Sequence, residues 1–428
     1  MKVAVVGLGA AGLRSAMLLQ AAGIEVQTFE ARNRLGGRIR TVRRDGLAYE
    51  AGAEWIDADH FRVLGLLSEL GIEPMPGSQW PGRVIHQGHE SSEDLVWSDA
   101  LEDELRVEAA ARELCRGLKS PPWSNVDHDA WDQQTLRAFI EQNTRAERGR
   151  WWVSAKYRSD EGDDPEKIGL LGWLCGFMHY LNRDSDAMSA FRAPQGLSEA
   201  CDRMAAKMRS EPRLGHVLQR VGQHEDGIRL EFGQGNFSCD RVILTMPPPV
   251  LEQIVFDPPL SASKRCALEA ARMSRAIKIA LVFDQAWWLD KGWNGRMYSD
   301  GPLQQTWDST LDERPVLAAY ICGDEAERWT AMADPVCAAL KELGKAHPEA
   351  ERHFTSGEVH NWIGDPYSKG AFSHLAPRFV LGHMEHLPTA EGRIHFAGEH
   401  TALYSGFVEG ALESAERVVQ EVTDAESP

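Results

Sequence analysis

The chain has 428 residues, 43% of them hydrophobic, and its formal net charge at pH 7 is -18. A chain longer than about 250 to 300 residues outgrows a single hydrophobic core, so we expect two domains that share one cleft. The negative charge argues against nucleic-acid binding and would favour cationic small molecules, although solubility alone would also account for it.

Neither the cysteines nor the apolar segments indicate a secreted or membrane protein. The seven cysteines are scattered without a CxxC pair, so neither a zinc site nor a disulfide framework is indicated. No segment approaches the 18 or so apolar residues of a membrane span. Lys2 and the apolar run after it imitate a signal peptide, but its removal would destroy the glycine turn described next. We therefore expect a cytoplasmic protein.

A glycine-rich turn follows the first predicted strand. Lys2 to Val6 is a short apolar run, and the sequence from Gly7 to Gly12 (GLGAAG) then opens a helical pattern. Gly7 would permit the tight turn, Gly9 would let the backbone approach a pyrophosphate, and Gly12 would allow close helix packing. The phosphates would lie at the positive helix N-terminus.

A second predicted strand, Glu25 to Phe29, ends at Glu30, 18 residues after Gly12. An acid about 20 residues after the glycines typically binds a ribose hydroxyl of a dinucleotide. A glycine turn alone could occur in any α/β protein. The strand before it, the helix after it and the acid behind it together favour dinucleotide binding.

The next segment, Ala31 to Thr41 (ARNRLGGRIRT), resembles the FAD-dependent amine oxidase family, whose hallmark is a strand-end Glu followed by a GGR turn. The resemblance implies an α/β fold with a GR2-type, Rossmann-like FAD-binding domain and a mixed-sheet plus helical substrate domain. It places Arg38 beside the phosphates, where its planar guanidinium suits phosphate, although a surface salt bridge is an alternative. The implied cofactor-binding residues of this region are Gly7, Gly9, Ala10, Ala11, Gly12, Glu30, Ala31, Arg32, Gly36, Gly37 and Arg38.

The two domains are predicted to alternate along the chain. We assign residues 1–77, 205–258 and 385–428 to the FAD-binding domain and residues 78–204 and 259–384 to the substrate domain. Helical patterns at 101–118, 135–143 and 168–181 predict a mainly helical insertion that forms one side of the substrate site. Strands are predicted at 216–221, 227–232 and 241–247, and the resemblance sets the main chain of Val221 against the adenine ring.

The segment from Glu50 to Asp57 (EAGAEWID) combines small residues with acids. In the family its backbone lies beneath the flavin, which implies cofactor contacts from Gly52, Ala53, Glu54 and Trp55. Related amino-acid oxidases often place an arginine here to bind the substrate carboxylate, whereas polyamine oxidases carry a Trp and a following acid. Asp57 could therefore bind a second ammonium group of the substrate, although both acids could equally be solvated loop residues.

Lys278 stands inside an otherwise apolar predicted strand, Ala276 to Phe283. An edge strand with one solvent-facing position would explain it. The apolar strand with one central lysine, followed by two tryptophans, also resembles the family segment whose lysine holds a water against the flavin. There it would supply positive charge where reduced flavin meets dioxygen.

Two C-terminal motifs complete the resemblance. The loop from Trp362 to Phe372 resembles the family's W-x-x-D-P-x-S-x-G motif, in which Trp362 packs on the flavin edge. Monoamine oxidases anchor flavin through a cysteine of this loop, and because Ala371 holds that position we expect non-covalent FAD.

The second motif, Arg393 to Thr401, ends a strand at Gly398 and Glu399, which would meet the ribityl and pyrophosphate groups of FAD. A helix beginning near Phe407 and Val408 would point its positive end at the flavin pyrimidine. Phe372 and Phe407 would flank the amine, where many members carry tyrosines. Core packing is a rival role for Phe372, and Tyr404 could substitute.

The resemblance implies an oxidase that transfers hydride from a carbon beside nitrogen to FAD, with dioxygen as acceptor and hydrogen peroxide as product. We expect a primary amine or a di- or polyamine substrate. The alternatives are an L-amino-acid oxidase with an arginine from the middle region, a desaturase or porphyrinogen oxidase, or a flavoprotein scaffold without catalysis. We expect no metal, nucleic-acid or membrane partner, and the oligomeric state is not indicated.

Overall fold

The computed structural model describes residues 1–77, 82–93, 96–181 and 188–424. Its strands are β1 Lys2–Val6, β2 Glu25–Phe29, β3 Thr41–Arg44, β4 Leu47–Glu50, β5 Met75–Pro76, β6 Arg83–His86, β7 His89–Ser92, β8 Phe191–Arg192, β9 Leu218–His224, β10 Gly227–Phe232, β11 Gly235–Cys239, β12 Arg241–Leu244, β13 Val255–Asp257, β14 Arg272–Met273, β15 Ala276–Phe283, β16 Met297–Ser299, β17 Gln305–Asp308, β18 Val316–Cys322, β19 Phe354–Asn361, β20 Ser373–His374 and β21 Ile394–Phe396.

Its helices are α1 Ala10–Ala21, α2 Phe61–Glu69, α3 Ser98–Cys115, α4 Asp129–Asp132, α5 Leu136–Asn143, α6 Glu147–Glu161, α7 Leu170–Phe177, α8 Ser198–Ala206, α9 Pro248–Leu251, α10 Ala262–Ala270, α11 Trp287–Asp290, α12 Gly323–Thr330, α13 Pro335–Ala346, α14 Glu349–His353 and α15 Val408–Asp424.

A parallel four-stranded sheet joins the two ends of the chain. Its strand order is β2-β1-β12-β21, so the N-terminal strand pairs with strands from the middle and the end of the sequence. Strands buried on both faces read as continuous apolar runs, which explains the run of valines in β1. Helices α1 and α15 pack together on one face of this sheet. The predicted α/β fold class is confirmed.

A mixed seven-stranded sheet carries the predicted lysine strand. Its order is β19-β15-β18-β17-β16-β6-β7, and β15 pairs antiparallel with β18 on one side and β19 on the other. All eight residues of β15 are buried. The alternative that Lys278 faces solvent from an edge strand is therefore wrong.

A smaller four-stranded sheet, ordered β11-β10-β9-β13, packs its apolar residues against the parallel sheet. The strand predicted at 216–221 begins later, at Leu218, and continues to His224. The strand predicted at 227–232 has those bounds. The third predicted strand stops at Leu244, three residues before Pro247.

The middle region is helical, with bounds that differ from the predicted ones. Helix α3 occupies 98–115 instead of 101–118, and α7 is shorter than the predicted helix at 168–181. Helix α6 was not predicted. Its sequence, ERGRWWVSAKYRSDE, has charges on most faces, so its apolar period is weak, and the helix is held instead by burial of Trp152 and Val153.

The predicted domain boundaries stay a prediction, and residues 78–81, 94–95, 182–187 and 425–428 of those ranges lie outside the described residues. Among the helices of the described residues, none is both long enough and apolar enough to cross a lipid bilayer.

Gly12 offers a test of this packing. A Cβ there would lie 1.9 Å from the carbonyl oxygen of Gly7, so Gly12→Ala must push α1 away from β1. We expect the variant to lose about 1 to 3 kcal/mol of unfolding free energy. The matched control is Gly65→Ala inside α2, where a Cβ would meet nothing within 4 Å.

Because alanine is the better helix former, the control should gain roughly 0.5 to 1 kcal/mol. Thermal or denaturant unfolding of the two variants measures both changes. Equal melting temperatures for the two variants would contradict this account of the turn.

Candidate active site

One cavity of about 490 Å³ runs from the glycine turn to the seven-stranded sheet. It is lined by residues of both chain ends and of the middle region. Every site residue predicted from the sequence lines this cavity except Gly12 and Val221. The structure therefore brings together motifs that are more than 350 residues apart, such as Gly7 and Phe407.

Gly12 lies behind the glycine turn, where it permits the close contact with Gly7 described above. Val221 is fully buried among apolar residues of β9 and is not brought to the cavity. The residues of this segment that line the cavity are His216, Val217 and Leu218. A main-chain contact leaves no side-chain pattern in the sequence, and the contact of Val221 with an adenine ring stays a prediction.

The glycine turn forms one end of the cavity. Gly7 adopts φ +93°, which favours glycine, and α1 begins after Gly9 without a side-chain cap. The first amides of a helix have no partner within the helix, so here they remain for a ligand. A Cβ at Gly37 would lie 3.3 Å from the Cα of Gly9, so the two turns approach closely. Glu30 accepts hydrogen bonds from the amides of Leu8 (2.8 Å) and Arg32 (2.9 Å).

Arg32 links this end to the C-terminal loop. Its Nη2 pairs with the carboxylate of Asp365 and donates to the hydroxyl of Ser368 at 2.8 Å. Asp365 and Ser368 belong to the predicted W-x-x-D-P-x-S-x-G loop. The two sequence motifs are thus joined by a partly buried ion pair.

Arg38 makes a second link between the chain ends. Its Nη1 donates to Glu399 Oε1 at 2.7 Å and to the carbonyl oxygen of Ala371 at 3.2 Å. Glu399 also accepts from the Ser373 hydroxyl (2.5 Å) and the Gly406 amide (2.7 Å). Burial opposes its ionisation, but Arg38, His400 and the Ser373 hydroxyl together outweigh burial and lower the pKa of Glu399. The ion pair of Arg38 is therefore an internal one and not a surface salt bridge.

The residues after β4 form the floor of the cavity. A Cβ at Gly52 would lie 2.0 Å from the carbonyl oxygen of Arg38, and the Ala53 amide donates to that oxygen at 3.2 Å. Small residues are therefore required here by contact with the GGR segment. Trp362 Nε1 donates to the carbonyl oxygen of Ala51 at 2.9 Å, which fixes this floor from the C-terminal side.

Lys278 reaches the same turn from β15. Its Nζ donates to the carbonyl oxygens of Gly52 (2.9 Å) and Glu50 (3.3 Å) and to Glu54 Oε2 (3.0 Å). Its ammonium group also lies 4.8 Å from the centre of the Trp307 ring. A buried lysine thus holds the backbone that lines the cavity.

The carboxylate of Glu54 is occupied by protein groups. Oε2 accepts from Lys278 and from Trp307 Nε1 (2.8 Å), while Oε1 lies 3.0 Å from Arg192 Nη2 and accepts from the Ser309 hydroxyl at 2.9 Å. Four internal partners engage the Glu54 side chain, and its contact with a cofactor stays a prediction. Its pKa is lowered because Lys278 and Arg192 outweigh the effect of burial.

The far half of the cavity contains the predicted substrate residues. The Phe407 ring lies 5.3 Å from the rings of His60 and Tyr404. Phe372 lies beside it, since a Cβ on Gly406 would approach its ring to 3.5 Å. Asp57 is only 6% exposed, and its Oδ1 accepts from the Ser189 amide at 2.7 Å. The alternative that Asp57 and Glu54 are solvated loop residues is therefore wrong.

Several residues of this half were missed from the sequence. Arg192 lies in the two-residue strand β8. The other polar residues of this half of the cavity, here called the chamber, come from α6, from strands of the large sheet and from the position just before β16. They are Ser159, Asp160, Arg296, Tyr298, Gln305 and Tyr320. Polar side chains inside apolar strands, as in β17 and β18, were a usable signal, whereas Arg192 had none.

The match to known proteins decides the family. The sequence matches the family described as flavin containing amine oxidoreductase over residues 10–423. The chain belongs to this family. As a flavin amine oxidoreductase it is a flavoenzyme that acts on amines.

Relatives support this assignment along the whole chain. The flavin-containing amine oxidase A of Canis lupus familiaris is 25% identical, over 99% of this flavin amine oxidoreductase and 85% of the relative. The L-amino-acid oxidase of Siganus canaliculatus is 27% identical, over 98% of this chain and 85% of the relative.

Solved structures show the same fold. Cyclohexylamine oxidase from Brevibacterium oxydans IH-35A aligns with a TM-score of 0.90 at 22% identity. A wild-type putrescine oxidase bound to putrescine aligns with a TM-score of 0.90 at 21% identity. Each comparison covers 99% of both chains.

The donor set of this flavin amine oxidoreductase fits a dinucleotide flavin. The uncapped N-terminus of α1 and the close glycine turns suit a pyrophosphate, and Glu30 is held where an adenosine ribose would follow. The far end, with Lys278, Trp362 and the N-terminus of α15 at Val408, suits a ring system that gains negative charge.

Glu50, below the cavity, provides a pH test. It is 2% exposed, and burial, with the nearby Glu54 carboxylate, raises its pKa from 4.5 to about 7. The folded state thus holds this proton more tightly than the unfolded state. We expect the contribution of Glu50 to stability to be greatest below pH 4.5 and to be lost as the pH rises to about 7.

The loss is roughly 3 kcal/mol at most, from about 1.4 kcal/mol per pKa unit. Glu50→Gln mimics the protonated acid. The difference between unfolding free energies of wild type and variant, followed from pH 4.5 to 8, should therefore shrink or reverse in favour of the variant. A difference that does not change with pH would contradict the assignment.

Proposed function

We propose that the protein is an oxidase of primary amines or di- and polyamines that holds FAD non-covalently and uses dioxygen as acceptor. The observation that carries the proposal is the cavity in which the glycine turn, Lys278 and the side chains of Phe372 and Phe407 meet. One end suits a dinucleotide and the other a small amine between aromatic rings. The predicted cofactor and substrate residues thus share one space.

The absence of a nearby thiol supports non-covalent binding. All seven cysteines lie in the described part of the chain, and none of them lines the cavity. Ala371, which resembles the anchoring position, lines the cavity with a methyl group. A thioether to the flavin would have no sulfur donor there.

Bound FAD would accept a hydride from the carbon beside the amine nitrogen and return the electrons to dioxygen, which gives hydrogen peroxide. The protein positions the amine and excludes water. Phe372 and Phe407 supply an apolar passage that favours the neutral amine, so no separate general base is needed. Lys278, held by three acceptors, supplies positive charge next to the cavity floor.

Charge in the chamber supports an amine without a carboxylate. Asp57 brings a buried carboxylate to the cavity. Arg192, a middle-region arginine, is neutralised by Glu54 and donates to the carbonyl oxygens of Asp308 and Thr310. It is therefore not available to bind a substrate carboxylate. The putrescine oxidase that shares the fold carries a diamine in its structure.

An L-amino-acid oxidase is the second candidate, and one observation favours it. Arg296 lines the chamber, and its side chain is 39% exposed with a long ion pair of 3.5 Å to Glu93. It could turn toward a carboxylate. The relative from Siganus canaliculatus is named for that activity.

A peroxide assay across substrate classes tests the proposal. Purified protein is incubated with monoamines, putrescine, longer polyamines and L-amino acids, and peroxide is measured with a coupled peroxidase. We expect turnover of amines and none of amino acids. Turnover of amino acids alone would favour the second candidate, and no turnover with bound flavin would favour a scaffold.

The cofactor is tested in the same preparation. Acid precipitation should release all yellow colour into the supernatant, with the absorbance and mass of FAD. Colour that stays with the precipitate would contradict non-covalent binding.

Asp57→Asn tests the substrate class. If Asp57 binds a second ammonium, the variant should lose about tenfold or more in kcat/KM for putrescine, because a charge-assisted contact is lost. The kcat/KM for a monoamine of the same length, such as butylamine, should stay within about twofold. Equal losses for both substrates would contradict the role of Asp57.

A further inference from the structure

Glu54 and its partners form a buried charge cluster beneath the cavity. The side chains of Glu54, Lys278 and Arg192 are 1%, 8% and 10% exposed. Two cations thus share one carboxylate, with 3.0 Å contacts to each. A buried charge is tolerated only when it is paired and hydrogen-bonded, and each lone-pair direction of Glu54 is used.

The surroundings of Lys278 match an ammonium group. An ammonium has three donors and no acceptor, and Nζ has three acceptors, which are two carbonyl oxygens and Glu54 Oε2. Of these three, only Glu54 carries charge. The shorter of the two contacts with carbonyl oxygens, at 2.9 Å, is to Gly52, which lines the cavity.

The other titratable groups around Lys278 do not replace this carboxylate. On the flanking strands, Tyr320 and His360 are its cross-strand partners. Burial raises the pKa of Tyr320 and lowers that of His360 to about 4, so both are neutral near pH 7. Burial raises the pKa of Glu50, so its carboxyl is protonated below about pH 7. Glu54 is thus the anion that faces Lys278.

We propose that Glu54 is a positioning residue for amine oxidation: it holds the Lys278 ammonium against the Gly52 carbonyl, and Arg192 balances its charge. The cluster then carries one net positive charge beside the cavity, from two cations and one anion. Arg192 is also held by the carbonyl oxygens of Asp308 and Thr310. This inference rests on the proposed role of Lys278.

The test uses the holoenzyme and Glu54→Gln. The variant keeps the shape and most hydrogen bonds of Glu54 but removes the charge that faces Lys278. Enzyme reduced with dithionite is mixed with buffer that contains dioxygen, so no substrate needs to be known. We expect the reoxidation rate constant to fall about tenfold at pH 6, where the Glu50 carboxyl is protonated, because Lys278 is no longer held against the cavity floor.

The pH profile separates positioning from a structural role. Between about pH 6 and 8, the rate constant of Glu54→Gln should recover in part while that of wild type changes less, because ionised Glu50 then places a second carboxylate near Lys278. A crystal structure of the variant should show Nζ displaced from the Gly52 carbonyl oxygen. The dissociation constant for FAD should stay within about twofold, because the glycine turn is untouched.

Two further variants keep the test decisive. Glu54→Gln combined with Arg192→Met leaves the net charge of the cluster unchanged, and it covers the case in which the single variant does not fold. It should still lose reoxidation rate, since Lys278 has lost its partner. Asp103→Asn removes a carboxylate that is also 1% exposed but lies in α3 and binds Arg106 and two backbone amides, and it should leave the rate and its pH profile unchanged.

The two proposals fail in different ways. If Lys278→Met leaves reoxidation unchanged, the role proposed for Lys278 is wrong. If Lys278→Met slows reoxidation but Glu54→Gln has the wild-type rate and pH profile, the inference about Glu54 alone is overturned. A pH-independent loss with released FAD would show a structural role and would also overturn it.

Discussion

The ion pair between Arg38 and Glu399 closes the chain on itself. Arg38 lies in the segment that follows β2, and Glu399 follows β21; both strands belong to the parallel sheet. Their ion pair therefore holds the N-terminal and C-terminal motifs together. The Glu399 carboxylate also receives the Ser373 hydroxyl and the Gly406 amide. The segment before α15 and the first residue of β20 are therefore both held by the Glu399 carboxylate. The shape of the cavity depends on this carboxylate being ionised and hydrogen-bonded.

Buried ion pairs of this kind are poor sources of net stability. Desolvation offsets most of the attraction, yet removing one partner typically costs about 3 to 5 kcal/mol because the other charge stays buried. Three such sets surround the cavity: Arg38 with Glu399, Arg32 with Asp365, and Glu54 with its two cations. They fix relative positions more than they add to folding free energy, which is what a site built from distant segments requires.

The sequence predicted the parts of the site that depend on local backbone rules. A single sequence is enough to recognise the glycine turn, the acid at the end of β2 and the lysine within the apolar strand β15. Arg192 could not be found, because it belongs to a two-residue strand and acquires its role only by contact with Glu54.

Contacts that form only in the folded chain also explain the other differences between the sequence predictions and the structure. Val221 was proposed for a main-chain contact, which places no demand on the side chain. Helix α6 owes its existence to packing and not to an apolar period. Glu54 was predicted from its position to contact the cofactor, and only the three-dimensional structure shows that its carboxylate bonds to four groups of the protein.

The placement of the thiols has a consequence for the lifetime of the enzyme. A catalyst that releases hydrogen peroxide, as proposed here, exposes its own sulfur to an oxidant, and the reactive species is the thiolate. Burial raises the pKa of Cys115 to about 11 and those of Cys175, Cys201, Cys239 and Cys322 to about 12. Oxidative damage would thus begin at the exposed Cys266 of α10 or the half-buried Cys337 of α13, and neither thiol lines the cavity.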